Sequence, residues 1–265
     1  MPIIFEYTWM ALLGLGVGFF SAGLGLGGGV LMMPAFITFM PEMGVYTAKG
    51  TSLFIILLVA ITSFFRVRRL QQQRPHYSAT LLLSAGAIAG GYVGAVISTR
   101  TSERTILLLF VAFVAFMMWQ LTVGEPKATL KKAPLHKNSL LLLIGIAAGA
   151  IGSATGTGGG SILAPVILVT GVLPHTQMVY SATQVMIATS LAAAPAHLLA
   201  PQVYHDHYTI GHVSLGVVPV IFICAQVGVV LGARVNSGMP ARRRRLLLAV
   251  VLAVVGLRML AQLAF

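Results

Sequence analysis

Acidic side chains are nearly missing from this chain. Of its 265 residues only five are Asp or Glu. All of them, Glu6, Glu42, Glu103, Glu125 and Asp206, fall at or between the ends of long apolar stretches. That scarcity argues against a carrier that holds a cation on a buried carboxylate. Cysteine is as sparse: Cys224 stands alone inside an apolar segment, so it forms no intrachain disulfide and marks no metal site. HExxH, a nucleophile–base pair and a phosphate-loop lysine are all missing, which leaves no basis for an enzyme, a cofactor or a metal centre. Residues 1–10 carry Glu6 but no Lys or Arg where a cleavable signal has its basic region, so the start of the chain is expected to be retained.

What fills the chain is apolar. Hydrophobic residues make up 57% and charged residues 8%, with a mean hydropathy of +0.93, too greasy for a water-soluble globule. A hydrocarbon core about 30 Å thick needs roughly 20 apolar residues per helix. Segments 48–65, 79–98, 105–122, 179–200, 213–233 and 246–264 qualify, and none contains Asp or Glu. The net charge of +12 does not indicate nucleic acid. Clusters such as RVRRL and ARRRRL are short and sit at segment ends, the pattern of loops that set membrane topology. The expected partners are therefore lipid and a small solute, with a homodimer left open.

Glycine supplies the main pattern. SAGLGLGGGVLMMP at 21–34 returns as GSATGTGGGSILAP at 152–165, with Gly25, Gly27, Gly28, Gly29 and Pro34 matched by Gly156, Gly158, Gly159, Gly160 and Pro165 at a displacement of 131. Gly14 and Gly18 match Gly145 and Gly149, AKGTSL at 48–53 resembles YSATQV at 180–185, and GYVGA at 91–95 resembles VVLGA at 229–233. Two homologous halves, 1–125 and 139–265, are thus joined by a basic linker, 126–138, expected in the cytoplasm. Loop 66–77 carries Arg66, Arg68, Arg69 and Arg74, whereas its counterpart 200–212 has no Lys or Arg; for 99–105 and 234–245 the bias is reversed. Equivalent loops then lie on opposite sides, which makes an inverted repeat with an odd number of crossings per half. Each half has three long segments after its glycines, so the glycine region must be a hairpin of short helices, about 7–22 with 30–40 and 140–151 with 161–171. The expected fold is an all-α polytopic membrane protein of two inverted repeats, each a glycine-broken helical hairpin followed by three transmembrane helices.

A turn at membrane depth survives only when buried in protein or facing a watery cavity, and inverted-repeat transporters build substrate sites from such breaks. Consecutive glycines let the backbone approach a ligand, and the following helix N-terminus favours an anion. Pro34 and Pro165, within the first turn and a half, are expected to cost those helices little. Gly14/Gly18, Gly90/Gly94 and Gly145/Gly149 read instead as close helix packing. The candidate anion-binding residues are Gly25, Gly27, Gly28, Gly29, Gly156, Gly158, Gly159 and Gly160, with Thr155, Thr157 and Ser161 beside the second turn. Thr51, Ser52, Thr183 and Gln184 join them at matching places in the next segments. Each hydroxyl either serves the ligand or bonds its own helix. Lys49 either attracts the anion or snorkels from its segment end, and His197 reads as structural more readily than as a proton carrier.

At these residues the sequence resembles the sulfite exporter TauE/SafE family. GLGGGVLMMP and GTGGGSILAP, the AKGTS element, and GYVGA and VLGAR ahead of arginine-bearing connections carry the likeness over about residues 10–262. It departs in the second half, where SATQ stands in place of a G-T-[SN] ending and leaves the part of Gln184 open. The resemblance implies an integral protein of the bacterial cytoplasmic (inner) membrane. It implies a permease that exports sulfite or an organosulfonate such as sulfoacetate by alternating access. An outward-moving negative charge gains about 2.3 kcal/mol per 100 mV, so export without a proton relay is feasible, while sodium or proton coupling through backbone carbonyls or histidine stays open. Against this stand a non-transporting scaffold or sensory subunit, in which glycines only pack helices, and a cation-coupled carrier of another solute.

Overall fold

The computed structural model describes residues 3–24, 28–70, 76–123, 137–170, 172–173, 177–204, 208–237 and 239–264. Gly25 and Gly27, and nearly all of the linker, lie outside the described residues. In chain order the helices are α1 (Ile3–Leu24), α2 (Gly29–Phe39), α3 (Gly44–Leu70), α4 (Tyr77–Arg100), α5 (Glu103–Val123), α6 (Lys137–Ala154), α7 (Gly160–Thr170), α8 (Met178–Leu198), α9 (Val218–Ser237) and α10 (Ala241–Ala264). Among the described residues five helices are long and apolar enough to cross a membrane. Large apolar side chains such as Leu81, Tyr92, Trp119, Leu191 and Leu257 face outward, as lipid requires and water does not.

The glycine regions are pairs of helices broken at the expected places, but the members of each pair are unequal. The helix α1 has 22 residues and α6 has 18, whereas α2 and α7 have 11 each. At 1.5 Å per residue an 11-residue helix reaches only about half-way through the hydrocarbon. The expectation of a short first helix over 7–22 is corrected: α1 continues at both ends, because nothing between Ile3 and Leu24 interrupts it. The half-length α2 is apolar apart from Thr38 and is buried along most of its length, with Val30, Met33 and Phe36 fully enclosed.

Glycine stripes interlock the halves. On α1, Gly14 and Gly18 lie against the backbone of Ile221 and Ala225 of α9, and Gly228 and Gly232 of α9 lie against Leu15 and Phe19. The matching helices repeat the contact: Gly86, Gly90 and Gly94 of α4 meet Leu142, Ile146 and Ala150 of α6, while Gly145 and Gly149 meet Leu83 and Ala87. A Cβ at these positions would collide with backbone, so small residues let the axes close in. The first helix of each half thus packs on the fourth of the other, and α3 packs on α8.

Helix ends follow local chemistry. Ser102 caps α5, its carbonyl accepting from Thr105 and Ile106. Glu103 beside it turns its Oε1 to the Val45 amide in the first turn of α3 at 3.2 Å, where a negative charge meets unpaired N–H groups. One expected boundary fails. The segment at 213–233 begins as a two-stranded hairpin, β1 (Thr209–Ile210) and β2 (Val213–Ser214), and α9 starts only at Val218. The positive φ of Gly211, 57°, makes the reversal between the strands.

Candidate functional site

The two glycine turns touch. A Cβ on Gly29 would lie 2.5 Å from the Thr157 carbonyl oxygen and 2.6 Å from Cδ1 of Ile56, and one on Gly158 would lie 2.8 Å from Cγ2 of the same Ile56. The N-termini of α2 and α7 therefore begin side by side, with α3 across both. Gly28, the N-cap of α2, has φ 60°, and its counterpart Gly159 has φ 78°. Gly156 and Gly158 are also in the left-handed region, at 73° and 76°. Side-chain-bearing residues rarely adopt such angles, which explains why the break is written in glycine.

Where the turn amides go differs from a simple cradle. Thr157 N and Gly158 N both donate to the Gly152 carbonyl, at 2.8 and 3.1 Å, closing the C-terminus of α6. The two half-helices start alike, Leu31 and Met32 returning to Gly28 O and Ile162 to Gly159 O, which leaves Gly29 and Val30 in α2 and Gly160 and Ser161 in α7 as the helix-end donors. Pro34 is the sixth residue of α2 and Pro165 the sixth of α7. Both lie past the unpaired first turn, so each costs its helix more than the little expected. Each removes the N–H that would have met the carbonyl of Val30 or Ser161.

Around the second turn the polar groups collect. Lys49 is fully buried, its stem against Gly156, and its Nζ donates to Ser98 Oγ at 2.7 Å. It does not snorkel. Among the described residues no carboxylate pairs with it. Ser52, one turn further along α3 and on the same face as Lys49 and Ile56, is buried with no partner for its hydroxyl. The Ser161 hydroxyl is in the same condition, as are those of Thr189 and Ser190 on α8. Thr189 Oγ1 and Ser190 Oγ lie 3.2 and 3.5 Å from where Cβ atoms of Gly159 and Gly158 would be. Buried hydroxyls are normally satisfied, so four around one turn make a set with unused donor capacity.

Other expected residues are engaged elsewhere. Thr183 donates to its own helix at Val179 O, 2.7 Å away. Thr155 donates to Ile151 O and meets Thr157 Oγ1 at 3.1 Å. Thr51 accepts the Ser214 amide at 3.0 Å and so anchors the hairpin, and Gln184 bonds Tyr180. A cavity of about 430 Å³ beside Thr155 is lined almost wholly by apolar side chains of α4 to α7. A second, of about 540 Å³, opens at Arg66 and Arg69 near the far end of α3.

Sequence reasoning missed Ser98, Thr189, Ser190 and His212. Thr189 and Ser190 form an adjacent hydroxyl pair midway along an apolar segment, a signal that was there to be read. Ser98 and His212 carry none, since only folding brings them to α3.

The second helix break thus brings together a buried lysine, the N-terminus of a half-length helix and unpartnered hydroxyls. The profile of the family Sulfite exporter TauE/SafE matches residues 10–259. The chain belongs to that family. This TauE/SafE protein is 26% identical to a Methanocaldococcus jannaschii protein named "Probable membrane transporter protein", over 98% of this chain and 100% of that one. It is 21% identical to Bacillus subtilis YunE, which bears the same description, over 96% and 97% of the two chains. A Haemophilus influenzae protein, again so described, is 30% identical over 56% of this chain and 55% of its own. No solved structure matches the chain significantly. The TauE/SafE protein is a membrane transporter, not an enzyme.

Proposed function

We propose that this TauE/SafE protein exports a small sulfur-containing oxyanion, sulfite or an organosulfonate such as sulfoacetate, across a bacterial cytoplasmic membrane. The observation that carries this reading is Lys49, buried without a carboxylate partner among the described residues and set against the second glycine turn. A charge removed from water without a counter-charge is costly, and an anion at the α7 N-terminus supplies one. The hydroxyls of Ser52, Ser161, Thr189 and Ser190 then donate to its oxygens. Gly28, Gly29, Gly159 and Gly160 let backbone come close on both sides.

In this reading the halves are inverted, and alternating access comes from rocking one against the other around the paired turns. The arginine-lined cavity at Arg66 and Arg69 lies on the cytoplasmic side and gathers anions by charge. The test is efflux of labelled sulfite and sulfoacetate from proteoliposomes, beside sulfate and taurine. Substrate-dependent efflux that Lys49→Met reduces at least tenfold is expected. Folded protein that moves none of the anions, or a Lys49→Met protein as active as the parent, refutes the proposal.

A further inference from the structure

Lys49 has company that binding an anion does not require. On α8, His197 is 1% exposed and neither ring nitrogen has a hydrogen-bond partner. His212, between the strands of the hairpin, is 3% exposed and its Nδ1 is likewise unpartnered. The imidazole centroids are 5.8 Å apart, and the Tyr46 ring lies between His212 and the Lys49 ammonium, 5.3 Å from the first and 5.9 Å from the second. The arrangement is built in place: the His212 amide donates to the His197 carbonyl at 2.8 Å, its ring stacks on Tyr46 at 5.3 Å, and its carbonyl packs on Gly50.

We propose that Lys49, His197 and His212 form a proton-binding site, so that each anion crosses the protein together with a proton. This rests on the reading of the chain as an anion transporter and adds the coupling ion to it. The groups around Lys49 are Ser98 on α4, which accepts from Nζ, and Tyr46 on its own helix, whose ring centroid is 5.9 Å from Nζ; His212 of the hairpin stacks on the Tyr46 ring, and His197 of α8 lies next to His212. The nearby Glu103 is occupied with the Val45 amide. None of the facing groups is a carboxylate.

An ammonium in that setting is tolerated when an anion lies beside it and is costly when the anion leaves. Anion occupancy and proton occupancy therefore reinforce one another, and the linkage is reciprocal. When the anion departs, an N–H bond of the Lys49 ammonium breaks. The bonding pair stays on Nζ, and the proton passes through the imidazole nitrogens of His197 and His212 to water. Return of a proton from the loading side restores the ammonium for the next anion. No oxidant or reductant enters. The proton removes one unit of the outward electrical gain, so a monoanion crosses without net charge and the dianion sulfoacetate keeps one unit.

Sulfoacetate is the probe, because it is fully ionised between pH 6 and 8 and any proton detected is not its own. Proteoliposomes loaded with labelled sulfoacetate and a lumenal pH dye, held at zero potential with potassium and valinomycin, report both fluxes together. Coupling predicts lumenal alkalinisation of about one proton per sulfoacetate released. His197→Gln should lower that ratio at least fivefold. Lys49→Arg, a cation that does not release its proton, should still be stabilised by sulfoacetate in a thermal shift while turnover falls at least tenfold. Sulfoacetate efflux with no alkalinisation, or a wild-type ratio in His197→Gln, overturns the coupling and leaves the transporter reading intact. Absence of flux for both sulfite and sulfoacetate overturns the two together.

Discussion

The two glycine turns share a spacing in the sequence and a left-handed glycine at the start of each half-helix, yet among the described residues the buried polar side chains collect at the second. Gly28 and Gly159 occupy equivalent positions with φ 60° and 78°, and each is followed by an 11-residue helix. Around them the side chains diverge. Thr155, Thr157 and Ser161 of the second turn are matched in the first by Leu24, Leu26 and Val30. Lys49, which packs on the second turn, has Ser181 as its counterpart on α8, and that hydroxyl lies 3.3 Å from Thr80 Oγ1. At Gly28 and Gly159 the left-handed backbone favours glycine in both turns. In the proposed reading the polar groups gather at one turn because a single anion needs only one set of donors.

The sharpest way to break the comparison is Gly159→Ala. A left-handed alanine costs about 1–2 kcal/mol, and its Cβ would also sit 2.6 Å from the Ala148 carbonyl oxygen. Loss of monodisperse protein on size-exclusion chromatography is expected. A well-folded Gly159→Ala protein would show that the turn is looser than its angles.

Lys49→Met comes next. Without anion, Lys49 must either stay charged with no counter-ion or give up its proton, so its replacement by Met should raise the melting temperature. Anion stabilisation should weaken at least tenfold, about 1.4 kcal/mol. A lower melting temperature with unchanged anion response would make Lys49 a structural residue.

Ser161→Ala tests the asymmetry itself. A hydrogen bond to a charged group contributes about 1.5–3 kcal/mol, so anion affinity should fall roughly tenfold with little change in stability, since Ser161 Oγ has no protein partner. The mirror change, Val30→Ser, buries a hydroxyl among apolar groups at a cost of about 1–3 kcal/mol and should bring no affinity. Equal loss of affinity in both would restore a symmetric cradle.

The smallest effect is expected from Thr183→Val, because that hydroxyl is already given to Val179 O. Affinity should stay within about twofold by thermal shift, and a tenfold loss would place Thr183 at the ligand.

Much of the fold is legible in the order of the residues. Long apolar runs without acids can only be helices in lipid, and strict repetition of Gly25 to Pro34 at 156 to 165 announces two related halves. The packing glycines are legible for the same reason: a small residue every fourth position makes one helix face approachable whatever lies opposite. The start of α9 is not, because a two-residue strand in the hairpin is too short to interrupt a hydropathy average. The site divides along similar lines. Glycines, Ser52 and Ser161 can be named from position in the repeat, whereas Thr51 and Thr183 look alike and spend their hydroxyls differently.

By itself the sequence determined the solvent, the helical character, the duplication and the places where helices must break, because composition and covalent backbone limits act locally. Only the tertiary structure decided that the two breaks meet, that Lys49 turns inward to Ser98 instead of outward to the interface, and that His212 returns to stand beside His197. Those outcomes depend on which helix faces are brought together and on the burial that results, and no local pattern encodes the partner.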